Sequence, residues 1–230
     1  MEQKKTKVEI HNGDSLSFFK DFTRLEGDVV ITDPPFNVGY HYKGYKDNLP
    51  KKEWLDLLSE VCQPPCVVIL YPEMVFEFAA RIGMTPTKCV SWVYPSNLPR
   101  QHRMIAWFGV KPDFTKVGQP YKDPKDKRIA KRIAEGHEAR LYDWWDINQV
   151  KNDSKCKTAH PCQMPFEVMR RVVGITPCDR VLEPFAGTGT TLLAAQYWGK
   201  DSVGVDISPE YCEIARESIH QTGTLWETHG

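Results

Sequence analysis

Short apolar segments alternate with amphipathic segments along most of the chain, and this alternation constrains the fold more than any other feature. The segments at 29–32 and 66–71 are apolar on both faces, which is typical of strands covered by helices on both sides. The segment at 51–62 instead carries its apolar residues at helical spacing. Strands and helices in alternation predict an α/β fold with a doubly wound, mostly parallel sheet and helices on both faces.

The same pattern places the remaining elements. We predict strands at 8–10, 29–32, 66–71, 88–94, 103–110, 180–185 and 202–207. We predict helices at 15–22, 51–62, 73–82, 165–173, 190–198 and 209–219. The last strand and helix close the chain without a further strand, so the segment at 8–10 is free to join the sheet beside 202–207.

Composition excludes several classes of protein. The chain has 230 residues, and its 30 basic and 30 acidic residues cancel, which argues against a binder held by net charge alone. The N-terminus lacks the apolar stretch of a signal peptide, and no window approaches the roughly 20 apolar residues of a membrane helix. Seven cysteines without CxxC spacing indicate reduced thiols. We therefore predict a cytoplasmic protein with no membrane contact and, because Cys156, His160 and Cys162 lack a matching fourth ligand, no metal.

The alternating pattern breaks down between 111 and 157, where strong strands vanish. Residues 111–140 include nine basic and five acidic side chains, together with several Gly and Pro residues. One interpretation is a solvated surface insertion, and the other is a segment that lies against nucleic-acid phosphates. On the second interpretation the candidate DNA-binding residues are Lys127, Arg128, Lys131 and Arg132.

A glycine-rich turn follows the predicted strand at 180–185, in the sequence "VLEPFAGTGTT". A phosphate-binding P-loop would need lysine where Thr190 stands, and a dinucleotide fingerprint would need a third glycine where Leu192 stands. The remaining pattern, an acid before Gly-x-Gly, suits a ligand with a cationic amino-acid end. Asp206, at the tip of the next strand, is placed to accept hydrogen bonds from ribose hydroxyls. The Gly-x-Gly turn and Asp206 together predict a nucleoside cofactor. The alternative is a tight turn from strand to helix with an acidic helix cap.

A second motif, "TDPPF" at 32–36, ends the predicted strand at 29–32 with an acid and two prolines. Together with "EPFAGTGTT" at 183–191 it resembles the amino-methylating DNA methyltransferases, which use S-adenosyl-L-methionine and release S-adenosyl-L-homocysteine. The catalytic motif precedes the cofactor motif, as in the permuted β class of that family. The resemblance implies a Rossmann-like methyltransferase sheet with a variable basic insertion, in a single domain over 1–230. Within it we expect a catalytic part at 1–110, a target-recognition insertion at 111–157 and a cofactor-binding part at 158–230.

The resemblance also implies roles for the residues of both motifs. The catalytic residues would be Asp33, Pro34, Pro35 and Phe36. The Asp33 carboxylate and the Pro34 carbonyl would accept hydrogen bonds from the amino group of a base, which aims the nitrogen lone pair at the methyl group. The base must leave the duplex to reach this corner, and Phe36 would stack on it. No covalent enzyme intermediate is needed.

A larger set of residues would hold the cofactor. "HPCQMPF" at 160–166 is similar to a His-Pro-Thr-Gln-Lys-Pro pattern of the family, with Cys162 and Met164 replacing Thr and Lys. The permutation would also bring Asp14 to the adenine of the cofactor, although Asp14 is equally suited to cap the helix at 15–22. The expected cofactor-binding residues are Asp14, Asp33, His160, Gln163, Pro165, Glu183, Pro184, Phe185, Ala186, Gly187, Thr188, Gly189, Thr190, Thr191 and Asp206.

The expected substrate is double-stranded DNA. Asn97, Arg100 and Arg103 are further candidates for contacts to the DNA backbone. Within the family an Asp-start motif favours adenine N6 and a Ser-start motif favours cytosine N4, so adenine is our leading hypothesis and cytosine the alternative. A catalytically silent module that binds nucleic acid or a partner chain is the alternative from another class. A homodimer, a restriction endonuclease partner, and a bacterial or phage origin are left open by the sequence.

Overall fold

The computed structural model describes residues 6–42, 45–96, 99–150 and 162–221, and it contains a central sheet of eight strands. In order across the sheet the strands are β1, β12, β11, β2, β5, β7, β6 and β10, of which only β7 is antiparallel to its neighbours. Their bounds are β1 Val8–Asn12, β2 Asp28–Thr32, β5 Cys66–Leu70, β6 Lys88–Val93, β7 His102–Phe108, β10 Trp144–Asp146, β11 Arg180–Glu183 and β12 Asp201–Asp206. β3 His41–Tyr42 and β4 Tyr45–Lys46 form a separate antiparallel pair. The prediction of a doubly wound, mostly parallel sheet is confirmed.

Helices cover both faces of the sheet. Their bounds are α1 Ser15–Asp21, α2 Lys51–Val61, α3 Pro72–Ile82, α4 Lys127–Ala134, α5 Phe166–Ile175, α6 Thr190–Tyr197 and α7 Pro209–His220. Side chains of β2 alternate between two cores, because Val29 and Ile31 pack with α5 and α6 while Val30 packs with α2 and α3. A strand that is buried on both faces in this way needs apolar residues at every position, which explains the continuous apolar run at 29–31.

The N-terminal strand lies beside the C-terminal strand. β1 pairs in parallel with β12, with Val8 opposite Ser202 and Asn12 opposite Asp206. The Gly13 amide extends the ladder with a hydrogen bond of 3.0 Å to the Asp206 carbonyl. The prediction that the segment at 8–10 joins the sheet next to the final strand is therefore confirmed.

The segment at 111–157 differs from its prediction, because part of it is a strand of the central sheet. β10 pairs in parallel with β6, and Trp145 on β10 is buried in the same core as α5. A three-residue edge strand is too short to stand out as an apolar run, which explains why the sequence pattern missed it. The segment also contains the small two-stranded sheet of β8 (Gly118–Gln119) and β9 (Ala139–Arg140). The division of the chain at 111 and 157 stays a prediction.

α4 is a basic helix with no buried residue. The Asp126 side chain caps it by accepting hydrogen bonds from the Arg128 and Ile129 amides at 2.8 and 3.3 Å. Its four basic side chains are exposed, and Ile133 is 43% exposed as well. Over the described ranges, no helix is long and apolar enough to cross a lipid bilayer.

Candidate active site

A cavity of about 440 Å³ opens at the carboxyl ends of β2, β11 and β12. β2 and β11 are adjacent and parallel, with Val30 opposite Leu182, so the residues that follow them meet at one edge of the sheet. The two sequence motifs, 150 residues apart, therefore lie in one cavity. The predicted site residues that line it are Asp14, Asp33, Pro34, Pro35, Phe36, Arg100, Arg103, Gln163, Glu183, Pro184, Phe185, Ala186, Gly187, Thr188, Thr190, Thr191 and Asp206.

The glycine-rich turn leads from β11 into α6. Gly187 and Gly189 have φ angles of 49° and 84°, in the region that favours glycine. A Cβ atom on Gly189 would lie 2.9 Å from the Cβ atom of Ala215, so α7 approaches this turn too closely for a side chain. Gly189 does not line the cavity itself, but it shapes the turn whose other residues do.

Glu183 is buried at the end of β11, with 2% of its surface exposed. One carboxylate oxygen accepts hydrogen bonds from the Thr32 hydroxyl and the Phe185 amide, and the other accepts one from the Thr191 hydroxyl at 2.7 Å. Burial raises the pKa of Glu183 to about 8, although these hydrogen bonds oppose the shift. A cationic ligand in the cavity would favour the ionised form, as the sequence-based role for this acid requires.

Asp206 is fixed against the glycine turn from the end of β12. Its two carboxylate oxygens accept hydrogen bonds of 2.8 Å from the Gly187 amide and the Ser208 amide. Each oxygen keeps a further lone pair for a ligand hydroxyl. Burial raises the pKa of the Asp206 carboxyl despite these two bonds.

Asp14 takes both positions that its sequence context suggested. It is the N-cap of α1 and accepts hydrogen bonds of 2.8 Å from the amide and the hydroxyl of Ser17. It is also exposed and lines the cavity beside Ser15, whose hydroxyl donates to the Pro184 carbonyl. α1 is thereby joined to the glycine-rich turn.

Asp33 pairs with Arg103 at the wall of the cavity. Arg103 Nη1 lies 3.2 Å from each oxygen of the Asp33 carboxylate. Burial raises the pKa of Asp33 to about 6, against the opposing effect of the Arg103 charge. Asp33 is therefore mostly ionised at neutral pH, and both of its oxygens can accept hydrogen bonds.

The rest of the DPPF motif has two different environments. No described residue donates a hydrogen bond to the Pro34 carbonyl, whereas the Pro35 carbonyl accepts one of 2.8 Å from the Trp54 indole. Phe36 is 6% exposed and packs edge-on against Tyr71, with ring centroids 4.8 Å apart. Phe36, which we expected to stack on the base, is thus a core residue that contributes one edge of the cavity wall.

The loop after this motif is organised by a residue that the sequence analysis missed. Asp47 is 2% exposed and accepts hydrogen bonds from the amides of Asn37, Val38 and Tyr40 at 2.7, 3.1 and 2.9 Å. Asn37 has a φ angle of 57° and exchanges two hydrogen bonds with the backbone of Leu49. An aspartate eleven positions after the motif, in a stretch with no apolar pattern, was the available signal. This loop carries Tyr40 and Tyr45 to the cavity.

The segment before α5 is described from Cys162 onward. Pro165 is buried at the N-cap of α5 and does not line the cavity, while Gln163 does. Met164, where the resembling family has lysine, is 8% exposed and packs in the core. A lysine there would need a polar partner for its ammonium group, so the methionine fits this environment. His160 and Asn97, both predicted site residues, lie outside the described residues, as does Cys156.

The structure changes the expected role of Arg103. The sequence analysis grouped it with residues that contact the DNA backbone, but its side chain is 11% exposed and bound to Asp33 inside the cavity. Arg100 is half exposed at the cavity rim, where it pairs with Glu73 at 2.7 Å. Lys127, Arg128, Lys131 and Arg132 lie on α4, away from the cavity lining, and have exposed side chains. DNA binding by these four residues stays a prediction.

The fold and the two motifs in one cavity define an amino-methyltransferase, and comparison with known proteins gives the same class. Residues 27–217 match the model of the N6/N4 methyltransferase family, described as DNA methylase. The matched segment spans the sheet from β2 to β12, including both motifs. The chain belongs to this family.

Several curated relatives align with nearly the whole chain. The type II methyltransferase M.BglII of Bacillus subtilis is 26% identical over 91% of this chain and 68% of its own length. The type II methyltransferase M2.DpnII of Streptococcus pneumoniae is 30% identical over 94% of this chain and 90% of its own. The DNA adenine methyltransferase YhdJ of Escherichia coli K12 is 25% identical over 89% of this chain and 80% of its own.

Solved structures share the fold. The cytosine-N4-specific PvuII DNA methyltransferase superposes with a TM-score of 0.65 at 20% identity, over 92% of this chain and 86% of its own. M1.HpyAVI in complex with S-adenosylmethionine superposes with a TM-score of 0.58 at 22% identity, over 91% of this chain and 98% of its own.

The cofactor of this methyltransferase is S-adenosyl-L-methionine, and the cavity fits its chemistry. When bound, it supplies a methyl group activated by a sulfonium centre. Asp206 and Asp14 offer carboxylate acceptors for hydroxyl or amine donors, and Phe185 and Ile207 offer apolar surface for a base. The volume of about 440 Å³ lies within the range of small-molecule sites.

Proposed function

We propose that this protein methylates the N6 amino group of adenine in double-stranded DNA, by direct in-line transfer to a base flipped into the cavity. The observation that carries the proposal is the position of the Asp33 carboxylate, which lines the same cavity as the glycine-rich turn. An acceptor and a cofactor site within one cavity allow the two substrates to be held in line, which supplies much of the acceleration in a transfer of this kind.

The proposed chemistry uses two acceptors. The exocyclic amino nitrogen is a poor nucleophile, because its lone pair is delocalised into the ring. Hydrogen bonds from its two protons to the Asp33 carboxylate and to the Pro34 carbonyl favour a tetrahedral nitrogen whose lone pair can attack the methyl group. The nitrogen gains positive charge as the bond forms, and the ionised Asp33 carboxylate stabilises that charge. As the new bond forms, the bond between the methyl group and sulfur would break and S-adenosyl-L-homocysteine would leave. The surplus proton of the methylated amino group would then pass to water.

Adenine is preferred to cytosine because the motif begins with Asp, and YhdJ, whose name gives adenine as its substrate, supports this choice. The PvuII enzyme, whose title gives cytosine N4, shares only the fold at its level of identity. DNA as the substrate is supported by the family of the chain and by the exposed basic residues of α4.

The deciding experiment is incubation with DNA from a methylation-deficient host and isotope-labelled S-adenosylmethionine, followed by nucleoside mass spectrometry. We expect N6-methyladenine. N4-methylcytosine alone would overturn the adenine assignment in favour of the alternative. The silent module predicts no methyl transfer to any DNA or RNA in this experiment. Calorimetric titration with S-adenosylmethionine tests it further, because absence of binding to the folded protein would favour the silent module.

A further inference from the structure

Arg103 is built into the candidate active site by contacts on several sides. It lies on β7 opposite Trp92 of β6, and its guanidinium carbon lies 5.2 Å from the Trp92 ring centroid and 4.7 Å from that of Phe36. Nη1 donates hydrogen bonds to both oxygens of Asp33. Two aromatic rings and the Asp33 carboxylate fix a planar guanidinium in one orientation.

Burial of the Arg103–Asp33 ion pair costs folding free energy, which suggests that the pair is kept for its effect on the Asp33 carboxylate. Both groups are withdrawn from water, with side chains 11% and 18% exposed for Arg103 and Asp33. A buried ion pair of this kind is often neutral or unfavourable for stability compared with apolar residues of similar volume. Arg103 Nε is buried and has no hydrogen-bond partner among the described residues, which adds to the cost.

The other titratable side chains around the ion pair are mostly uncharged at neutral pH, so the charge of Arg103 is the main one that acts on Asp33. Tyr94 follows β6, Tyr71 precedes α3, Tyr40 lies on the loop after the motif, and Glu183 ends β11. Burial raises the pKa of Tyr94 and, to about 8, that of Glu183, so both are mostly neutral at pH 7 in the protein without cofactor. In the described part of the chain, Asp33 has no ion-pair partner besides Arg103.

We propose that Arg103 is a positioning residue for methyl transfer, which keeps the Asp33 carboxylate ionised and correctly oriented to accept a hydrogen bond from the target amino group. Without the guanidinium, burial acts on Asp33 unopposed. A protonated carboxyl presents a hydroxyl in place of one acceptor and cannot stabilise positive charge on the amino nitrogen. The inference rests on the proposed catalytic role of Asp33.

A measurement on the carboxyl itself tests the first part. In ¹³C-labelled protein, the Asp33 carboxyl resonance, assigned by its loss in Asp33→Asn, is titrated in the wild type, Arg103→Gln, Arg103→Met and Arg103→Lys. We expect the pKa of Asp33 to rise by about one to three units in the Gln and Met variants and to stay near the wild-type value in Arg103→Lys. An unchanged pKa in Arg103→Gln or Arg103→Met would overturn the inference. Melting temperature and S-adenosylmethionine affinity establish that each variant is folded. If the Gln and Met variants do not fold, the titration of Arg103→Lys, which keeps the charge, is compared with that of the wild type.

The pH dependence of single-turnover methylation tests the second part. We expect the pH below which the methylation rate falls to be higher in Arg103→Gln than in the wild type. In Arg103→Lys it should return to near the wild-type value. Arg100→Gln is the matched control, since it removes a nearby arginine that does not contact Asp33; we expect it to raise KM for DNA and to leave the pH below which the rate falls unchanged.

The outcomes separate the two claims. A wild type that methylates no DNA would defeat the proposed function, while the carboxyl titration would still decide whether Arg103 holds Asp33 ionised. Faster transfer at neutral pH in Arg103→Gln would overturn the positioning role, because it would mean that the guanidinium blocks the face of Phe36.

Discussion

The Thr32 hydroxyl donates a hydrogen bond to the carboxylate of Glu183, a residue 151 positions later in the chain. Thr32 is the last residue of β2 and precedes the catalytic motif, and Glu183 is the last residue of β11 and opens the cofactor motif. The contact therefore fixes the position of one motif relative to the other along the strand direction, at the carboxyl edge of the sheet. Because both residues are buried, a change in the protonation of Glu183 changes a hydrogen bond that joins the two motifs.

The first prediction concerns stability and pH. The folded protein holds the Glu183 proton up to a pKa of about 8, whereas an ordinary glutamate releases it near 4.5. The folded state binds more protons in this window, so the free energy of unfolding falls as pH rises from 4.5 to 8. Between pH 6 and 8 we expect Glu183→Gln to remove a slope that approaches about 1.4 kcal/mol per pH unit.

Urea denaturation at several pH values measures this slope. The control is Glu213→Gln on α7, which changes an exposed glutamate and should leave the slope unchanged. An equal slope in the wild type and Glu183→Gln would contradict the prediction.

The second prediction concerns the cofactor. A cationic ligand in the cavity favours ionised Glu183, so S-adenosylmethionine binding below pH 8 should release a proton, and its affinity should fall as pH decreases. Calorimetry in buffers of different ionisation enthalpy counts the protons. We expect release of up to about one proton at pH 7 in the wild type and a smaller release in Glu183→Gln. Binding enthalpies that do not depend on the buffer in the wild type would refute this coupling.

The third prediction separates catalysis from cofactor binding at Asp33. Asp33→Ala removes the charged acceptor, and we expect the rate of transfer to fall by at least about 100-fold while the Kd for S-adenosylmethionine changes little. Asp33→Asn keeps one carbonyl acceptor and should retain more activity than Asp33→Ala. Single-turnover kinetics with saturating cofactor give the comparison; undiminished methylation by Asp33→Ala would defeat the proposed role.

The fourth prediction concerns the glycine-rich turn. Alanine at Gly189 would adopt a φ angle of 84° and contact Ala215, whereas alanine at Gly199 would adopt a φ angle of 67° with no atom within 4 Å. We expect Gly199→Ala to cost about 1–2 kcal/mol of stability and Gly189→Ala to cost more, because only the latter adds a steric clash. Thermal unfolding compares the two, and equal losses would show that the approach of α7 does not matter.

The fifth prediction concerns α4. If its basic side chains bind DNA phosphates, Lys127→Gln combined with Lys131→Gln should weaken DNA binding and reduce the dependence of log Kd on log salt by about 0.9 for each phosphate that is no longer bound. Cofactor affinity should be unchanged. Lys52→Gln, at an exposed position on α2, is the control for a simple loss of surface charge. A salt dependence that the double variant does not alter would place the DNA contacts elsewhere.

The sequence predicted most of the fold because the elements that form the sheet are locally encoded. The apolar runs at 29–31 and 66–70 are buried on both faces, and their composition shows it without any tertiary information. Helix ends were similarly local, since Ser208 and Pro209 begin α7 with a cap and a proline. β10 was missed because a three-residue edge strand contains too few residues to form a pattern.

By itself, then, the sequence determined the order of the longer strands and helices outside 111–157, the two motifs and the family that they indicate, because these depend on neighbouring residues or on short spacings. Only the tertiary structure decided that Arg103 lies against Asp33 and that Asp47 holds the loop after the motif. The same arginine, in a stretch rich in polar residues, looks like a surface cation in the sequence. Its partner directly follows another strand, 70 residues earlier, and an ion pair between distant residues forms only when the sheet brings them together.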